Sequence, residues 1–229
     1  MTVYAPLRLH APSRRDAVVA PLPVVLAPMA GVTNAAYRQL CREQGAGLYV
    51  CEMITSRGLV VGDHKTKDML AFDPGETTRS VQLYGVDADV MADAARILAR
   101  DYAVDHIDLN FGCPVPKVTR KGGGGVLPYK RDRLRAIVRE TVRAADEFGV
   151  PVTIKTRIGI DGEHETFLDA GRIAQEEGAA AIALHGRTVQ QAYSGEADWE
   201  RIAELADAVD HPVLGNGDIW EAEDALRMM

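Results

Sequence analysis

The sequence predicts an α/β fold, a TIM (β/α)8-type barrel with parallel strands that breaks off after its seventh strand. Three observations predict it. Short β-rich runs alternate with helical patterns along the chain, the mark of βαβ units around a parallel sheet. Polar residues stand at or near the C-terminal ends of these runs, at Glu52, Gln82, Asn110, Lys155, His185 and Asn216, where barrels carry their active sites. No Gly-x-Gly-x-x-Gly follows the first run, and the polar residues are not gathered at one switch point, as a doubly wound sheet would require.

The elements follow in order. Residues 1–23 are broken by Pro6, Pro12, Pro21 and Pro23 and read as an irregular lead-in to a barrel over 24–229. Strand patterns cover 24–27, 48–51, 80–83, 106–110, 152–156, 181–185 and 213–216. Helical patterns cover 35–43, 88–100, 132–148, 165–177 and 199–209, with a weaker one over 57–70 and a last one starting near Glu221. Gly149-Val150-Pro151 ends one helix and launches a strand, because glycine suits the left-handed cap and proline cannot continue the helix. Gly178 does the same after Glu177, and Asp198 can cap the helix that starts at Trp199. Ile154, residues 182–184 and Val213-Leu214 read as strands apolar on both faces. Strand starts recur about every 31 residues, so an eighth strand would begin near ~244, past Met229.

Composition narrows the class. The chain has 229 residues, 47% of them hydrophobic, with a net charge of −7. That excludes a disordered chain and argues against a strongly basic nucleic-acid binder. The charge is uneven: residues 117–135 carry seven basic side chains against one acidic, so the remainder stands at −13. Cys41, Cys51 and Cys113 cannot build a disulfide framework, which points to a reducing, cytoplasmic setting. The most apolar run, 17–29, is short and holds Pro21, Pro23 and Pro28, so neither a transmembrane helix nor a signal peptide is expected.

The segment 108–125 carries the most specific chemistry. Gly112 allows a turn directly after a strand, and Pro114 fixes its far side, so Cys113 is presented at the strand mouth. Cys41, inside an amphipathic helix, and Cys51, in a strand, read as small buried side chains. The glycines 122–125 lack the Gly-Lys-Ser/Thr of a phosphate loop and read as a mobile lid behind Cys113. No metal site is expected.

Six stretches resemble, in order and spacing, the tRNA-dihydrouridine synthases, and most nearly their bacterial DusB-like branch. They are Ala27-Pro28-Met29-Ala30-Gly31-Val32-Thr33, Ser80-Val81-Gln82-Leu83, Asn110-Phe111-Gly112-Cys113-Pro114, Lys155-Thr156-Arg157, His185-Gly186-Arg187-Thr188 and Asn216-Gly217-Asp218. The resemblance implies FMN at the barrel mouth, NADPH as its reductant and a tRNA uridine as substrate. It implies hydride delivery to C6 of the uracil and a proton from Cys113 to C5. A free thiol, with a pKa of roughly 8.5, remains protonated near neutral pH and can serve as that acid. Carried over by motif, Pro28, Met29 and Ala30 would lie along the flavin ring. Gln82 would bond its pyrimidine edge, Lys155 would stabilise negative charge there, His185 would lie alongside, and Asn216, Gly217 and Asp218 would flank the ribityl-phosphate chain. Asn110 and Arg157 would face the substrate, and Lys117, Arg120 and Lys121 would meet its phosphates.

Two other readings stay open. A small-molecule FMN oxidoreductase of the dihydroorotate dehydrogenase type shares the barrel and the ring bond it acts on. The chain could also be an inactive fragment, since the eighth strand and the helical tRNA-binding domain expected of the family lie outside it. No membrane partner is expected, and the full-length protein is expected to be a monomer.

Overall fold

A computed structural model describes residues 4–45 and 47–229. Seven strands, β3 (Val25–Leu26), β4 (Leu48–Thr55), β5 (Ser80–Tyr84), β6 (His106–Phe111), β7 (Val152–Arg157), β8 (Ala181–His185) and β9 (Val213–Asn216), pair in parallel in sequence order as one curled sheet. Helices α1 (Ala35–Glu43), α4 (Ala88–Asp101), α6 (Arg131–Asp146), α7 (Phe167–Glu176) and α8 (Trp199–Ala208) connect them on the outside. The weak helical pattern after β4 resolves into two short pieces, α2 (Ser56–Val60) and α3 (His64–Asp68). A short α5 (Pro116–Thr119) and a 3-10 segment, Gly124–Tyr129, follow β6, and α9 (Ala222–Met228) ends the chain. Among the described residues β3 and β9 each have one strand neighbour. Among the same residues no helix is long and apolar enough to cross a membrane.

The lead-in is not irregular. β1 (Leu7–His10) and β2 (Ala17–Ala20) form an antiparallel hairpin. Leu7 and Leu9 alternate with exposed Arg8 and His10, and this period of two buries them with Ala20 against Leu48, Ala180 and Ala181. Leu48 and Ala181 open β4 and β8, so the hairpin plugs the N-terminal end of the barrel. Prolines mark its approaches and turn rather than dissolving it.

The two faces of the sheet differ. Val81, Leu83, Ile107, Leu109, Val152, Ile154, Ile182 and Leu184 join residues of α4, α6, α7 and α8 in the main apolar core. The alternate positions, among them Ser80, Gln82, His106, Asp108 and Thr153, bond one another across the strands and fill the inside. β7 is therefore apolar on its outer face only, which corrects the expectation for Ile154 and its neighbours. β4 carries a bulge: Val50 pairs with Ser80 but Met53 with Gln82, three residues against two.

A buried ion pair sets the loop after β3. Arg38 on α1 is 1% exposed. Its guanidinium donates to both Glu76 oxygens, to the Thr33 carbonyl at 2.8 Å and to the Ala71 carbonyl at 2.9 Å. It thus ties the loop carrying Met29–Thr33 to the segment entering β5. Removing one partner leaves the other charge buried and alone. Arg38→Met should cost about 3–5 kcal/mol in urea unfolding, and Arg38→Met with Glu76→Leu should recover more than half; equal losses in the two variants would contradict the pairing.

Candidate active site

Strand β6 delivers the cysteine. After Phe111 the chain turns, and four hydrogen bonds from three residues hold the turn. The Asn110 Oδ1 accepts from the backbone N–H of Gly112 at 3.2 Å and of Cys113 at 2.9 Å. The Cys113 carbonyl accepts from Gly125 N–H at 3.0 Å. Arg157 Nε donates to the Gly112 carbonyl at 2.8 Å. The Cys113 side chain is half-buried at the mouth, and its Sγ has no hydrogen bond among the described residues. Cys51 is fully buried, and burial pushes its thiol up to about 12, which leaves it inert. Cys41 is half-buried on α1.

The glycine run is not a free lid. Gly123, Gly124 and Gly125 are buried, and the chain continues directly into the 3-10 segment. Gly124 has φ +58°, and a Cβ there would stand 2.5 Å from the Cys113 carbonyl oxygen. At Gly124 backbone packs on the backbone of Cys113, while Gly123 and Gly125 make room for the side chains of Val86, Val118 and Val189.

Beneath Cys113 the barrel interior is a hydrogen-bonded series. Asn110 Nδ2 donates to Gln82 Oε1 at 2.8 Å, and Gln82 Nε2 donates to Asp108 Oδ2 at 2.7 Å. Thr153 Oγ1 donates to Asp108 Oδ1 at 2.5 Å and lies 2.9 Å from His106 Nε2, while His106 Nδ1 lies 2.7 Å from Ser80 Oγ. Burial holds His106 down at about 3, so its ring is neutral. With Thr153 giving its hydrogen to Asp108, the imidazole carries its proton on Nε2 and accepts from Ser80. Burial pushes Asp108 up to about 6, against its hydrogen bonds from Thr153 and Gln82 and the attraction of Lys155.

The second half of the mouth is cationic. Lys155 Nζ donates to Asn216 Oδ1 at 2.7 Å. Burial pulls its ammonium down to about 8, against the attraction of Asp108, and the side chain is half-buried inside the barrel rather than a snorkelling surface lysine. His185 is held down at about 3 by burial first and by Lys155, Arg157 and Arg187 next, and its buried Nδ1 has no partner among the described residues. A groove of about 210 Å³, lined by His185, Arg187, Tyr193, Gly217, Asp218 and Trp220, opens beside it. Gly217 has φ +118°, and a Cβ there would lie 2.7 Å from that of Ala197.

Several residues carried over by motif are turned to structural work. Arg157 is 4% exposed, and its Nη1 donates to the carbonyls of Thr188 and Ala192, so it braces the Cys113 turn and does not face outward. Asn110 has both amide hydrogens and both oxygen lone pairs engaged, counting a 3.5 Å contact to Met53 Sδ, and has nothing left for a substrate. Asp218 receives Arg187 on both oxygens at 2.8 and 2.9 Å and Ala197 N–H at 2.6 Å. These bonds, Ala197's first, hold its carboxyl below the usual range and close the groove wall.

Pro28, Met29 and Ala30 lie on the β3–α1 loop, where Met29 is 38% exposed. Gly31 N–H beside them donates to Glu52 at 2.7 Å, across to the bulge of β4. Lys117 on α5 and Arg120 and Lys121 just after it are exposed, and none has an ion pair among the described residues. Arg131 and Arg135, further along, pair instead with Asp169, Glu176 and Glu177. Sequence reasoning gives no role to Ser80, His106, Asp108 or Thr153. Their signal is the polar alternation Ser80-x-Gln82, His106-x-Asp108-x-Asn110 and Thr153-x-Lys155 within strands that are otherwise apolar. Among the described residues no cluster of His, Cys, Asp and Glu is placed to hold a metal.

A parallel β/α sheet with a cysteine, a half-buried lysine and a polar interior gathered towards the C-terminal mouth places the chain in the β/α-barrel class. Within that class the chain belongs to the dihydrouridine synthase (Dus) family, whose profile matches residues 25–229. It is 58% identical over 215 residues to a probable tRNA-dihydrouridine synthase of Mycobacterium tuberculosis, covering 90% of this chain and 55% of the relative. It is 53% identical over 232 residues to the Mycobacterium leprae protein of the same description, covering 90% and 60%. It is 41% identical over 206 residues to tRNA-dihydrouridine synthase B of Pseudomonas syringae pv. tomato, again covering 90% and 60%. The chain therefore spans little more than half the length of these relatives.

Because the Lys155 ammonium is held at about 8 instead of 10.5, the folded chain binds fewer protons than the unfolded chain between those values. Stability must then rise with pH across that window. Relative to Lys155→Met, the parent chain should gain on the order of 3 kcal/mol between pH 8 and 10.5 in paired urea titrations. Parallel curves would contradict the buried position.

Proposed function

We propose that the whole protein reduces the C5–C6 double bond of uridines in tRNA to dihydrouridine, with FMN at the barrel mouth and NADPH as reductant. The observation that carries the reading is the juxtaposition of Cys113 with three exposed, unpaired cations, Lys117, Arg120 and Lys121, within eight residues of it. A thiol without another bond at the barrel mouth suits proton donation to a ring, and exposed cations beside it suit a phosphate backbone. A free pyrimidine has no charge to pair with them, and dihydroorotate has a single carboxylate, so neither calls for three.

The mouth fits a flavin. Lys155 offers a half-buried cation, His185 offers an Nδ1 with no partner among the described residues, and exposed Met29 and Ala30 offer an apolar rim. FMN, when bound, supplies the hydride that adds at C6. Lys155 then favours negative charge in its neighbourhood, and Gln82 retains one Nε2 hydrogen and one Oε1 lone pair for a polar ring edge. Hydride addition leaves negative charge on C5 and the adjoining carbonyl of the uracil, and Cys113 Sγ–H, free of any other bond, gives its proton to C5. Asn110 and Arg157 hold the turn that sets where that thiol stands.

In the full-length protein, Cys113→Ala should leave flavin absorbance intact and lower dihydrouridine formation by about 100-fold or more, read by mass spectrometry of tRNA nucleosides. Unchanged dihydrouridine would rule the cysteine out as the acid. Replacing Lys117, Arg120 and Lys121 together with Gln should weaken tRNA binding and reduce the slope of log affinity against log salt by about 2–3. An unaltered slope would move the RNA path elsewhere.

A further inference from the structure

Backbone N–H groups can only donate, which fixes the sense of every bond in the series beneath Cys113. The N–H groups of Gly112 and Cys113 both point at Asn110, so Asn110 presents Oδ1 to them and Nδ2 to Gln82. Gln82 must then present Oε1 to Asn110 and Nε2 to position 108, where only an acceptor can close the series. Asp108 supplies it, 4% exposed and tied on its other oxygen to Thr153.

We propose that Asp108 is a positioning residue: through the Gln82 and Asn110 amides its acceptor oxygen fixes the Gly112–Cys113 backbone, and so the place from which the thiol acts. What position 108 must provide is an acceptor facing Gln82. The Asp108→Asn variant keeps one, since the Oδ1 of the new amide can face Gln82 while its Nδ2 faces Thr153, whose hydroxyl then donates to His106. Position 110 is different. An Asn110→Asp side chain still accepts from both backbone N–H groups, but it sets an oxygen against Gln82 Oε1. Gln82 can answer only by turning its amide over, which sets Oε1 against Asp108. Asp108→Asn cures that conflict by offering Nδ2 to the turned amide. Two side chains that do not touch are thereby coupled through a third.

The consequence for catalysis rests on Cys113 as the acid, but the readout does not. The plateau rate of iodoacetamide alkylation at high pH, followed at the Cys113 peptide of the full chain by mass spectrometry, reports thiolate access free of thiol titration. Asp108→Asn alone should stay within about twofold of the parent, Asn110→Asp should change the rate by about fivefold or more, and the double variant should return toward the parent. If Asn110→Asp does not fold, recovery of folding in the double variant is the supporting outcome. A double variant as altered as Asn110→Asp, an Asn110→Asp rate equal to the parent's, or a double variant that fails to fold would overturn the proposal. Loss of dihydrouridine formation plays no part in this measurement, so its failure and that of the functional reading are separable.

Discussion

Two donors that cannot be turned around, the N–H groups of Gly112 and Cys113, impose a direction on the inside of this barrel. From them the bonds run down through Asn110 and Gln82 to Asp108, and from the other end they run through Ser80, His106 and Thr153 to the same carboxylate. A buried polar series is stabilising only when every member is satisfied. Here satisfaction also decides what remains for a ligand. Asn110 is saturated, Asp108 is committed to its neighbours, and the groups left open at the mouth are the Cys113 thiol, part of the Gln82 amide, the Lys155 ammonium and the His185 Nδ1. The reactive surface is the remainder after the interior has met its own needs.

The periphery keeps that interior in place without taking part in it. Arg38 and Glu76 hold the loop that brings Met29 to the rim. Arg187 and Asp218 hold the far wall, and the β1–β2 hairpin closes the opposite end. Each acts on a different part of the barrel, and each leaves the C-terminal mouth open.

Much of this is legible in the sequence, and for stated reasons. The strands and the long helices follow from hydrophobic patterning, and α1 and β8 match residue for residue at 35–43 and 181–185. Asp198 caps α8 through bonds to Glu200 and Arg201, as a short acceptor before a helix should. The misreadings also have causes. The prolines around the hairpin outweigh the alternation of Leu7 and Leu9. The glycines 122–125 suggest freedom, where the structure buries three of them and uses the missing side chain of Gly124 for close packing against Cys113. Arg157 suggests a ligand, because a motif records which residue is present and not which way it points. The inward polar series escapes a reading of strand 152–156 by its apolar residues alone, although Thr153 and Lys155 alternate with Val152 and Ile154.

The bulge in β4 makes that strand two reading frames joined at one point. Up to Val50 the even-numbered residues face inward; from Met53 on the odd-numbered ones do, and Met53 reaches Asn110 while Ile54 joins the outer core. Straightening the strand with all of its residues kept would leave every side chain chemically unchanged. It would nonetheless bring Ile54 inward against the amides and turn Met53 out, and Glu52 could no longer keep its place against Gly31. The frame beyond the junction is therefore held by the one extra residue at 51–52, whose own contribution is the bend that carries Glu52 to Gly31.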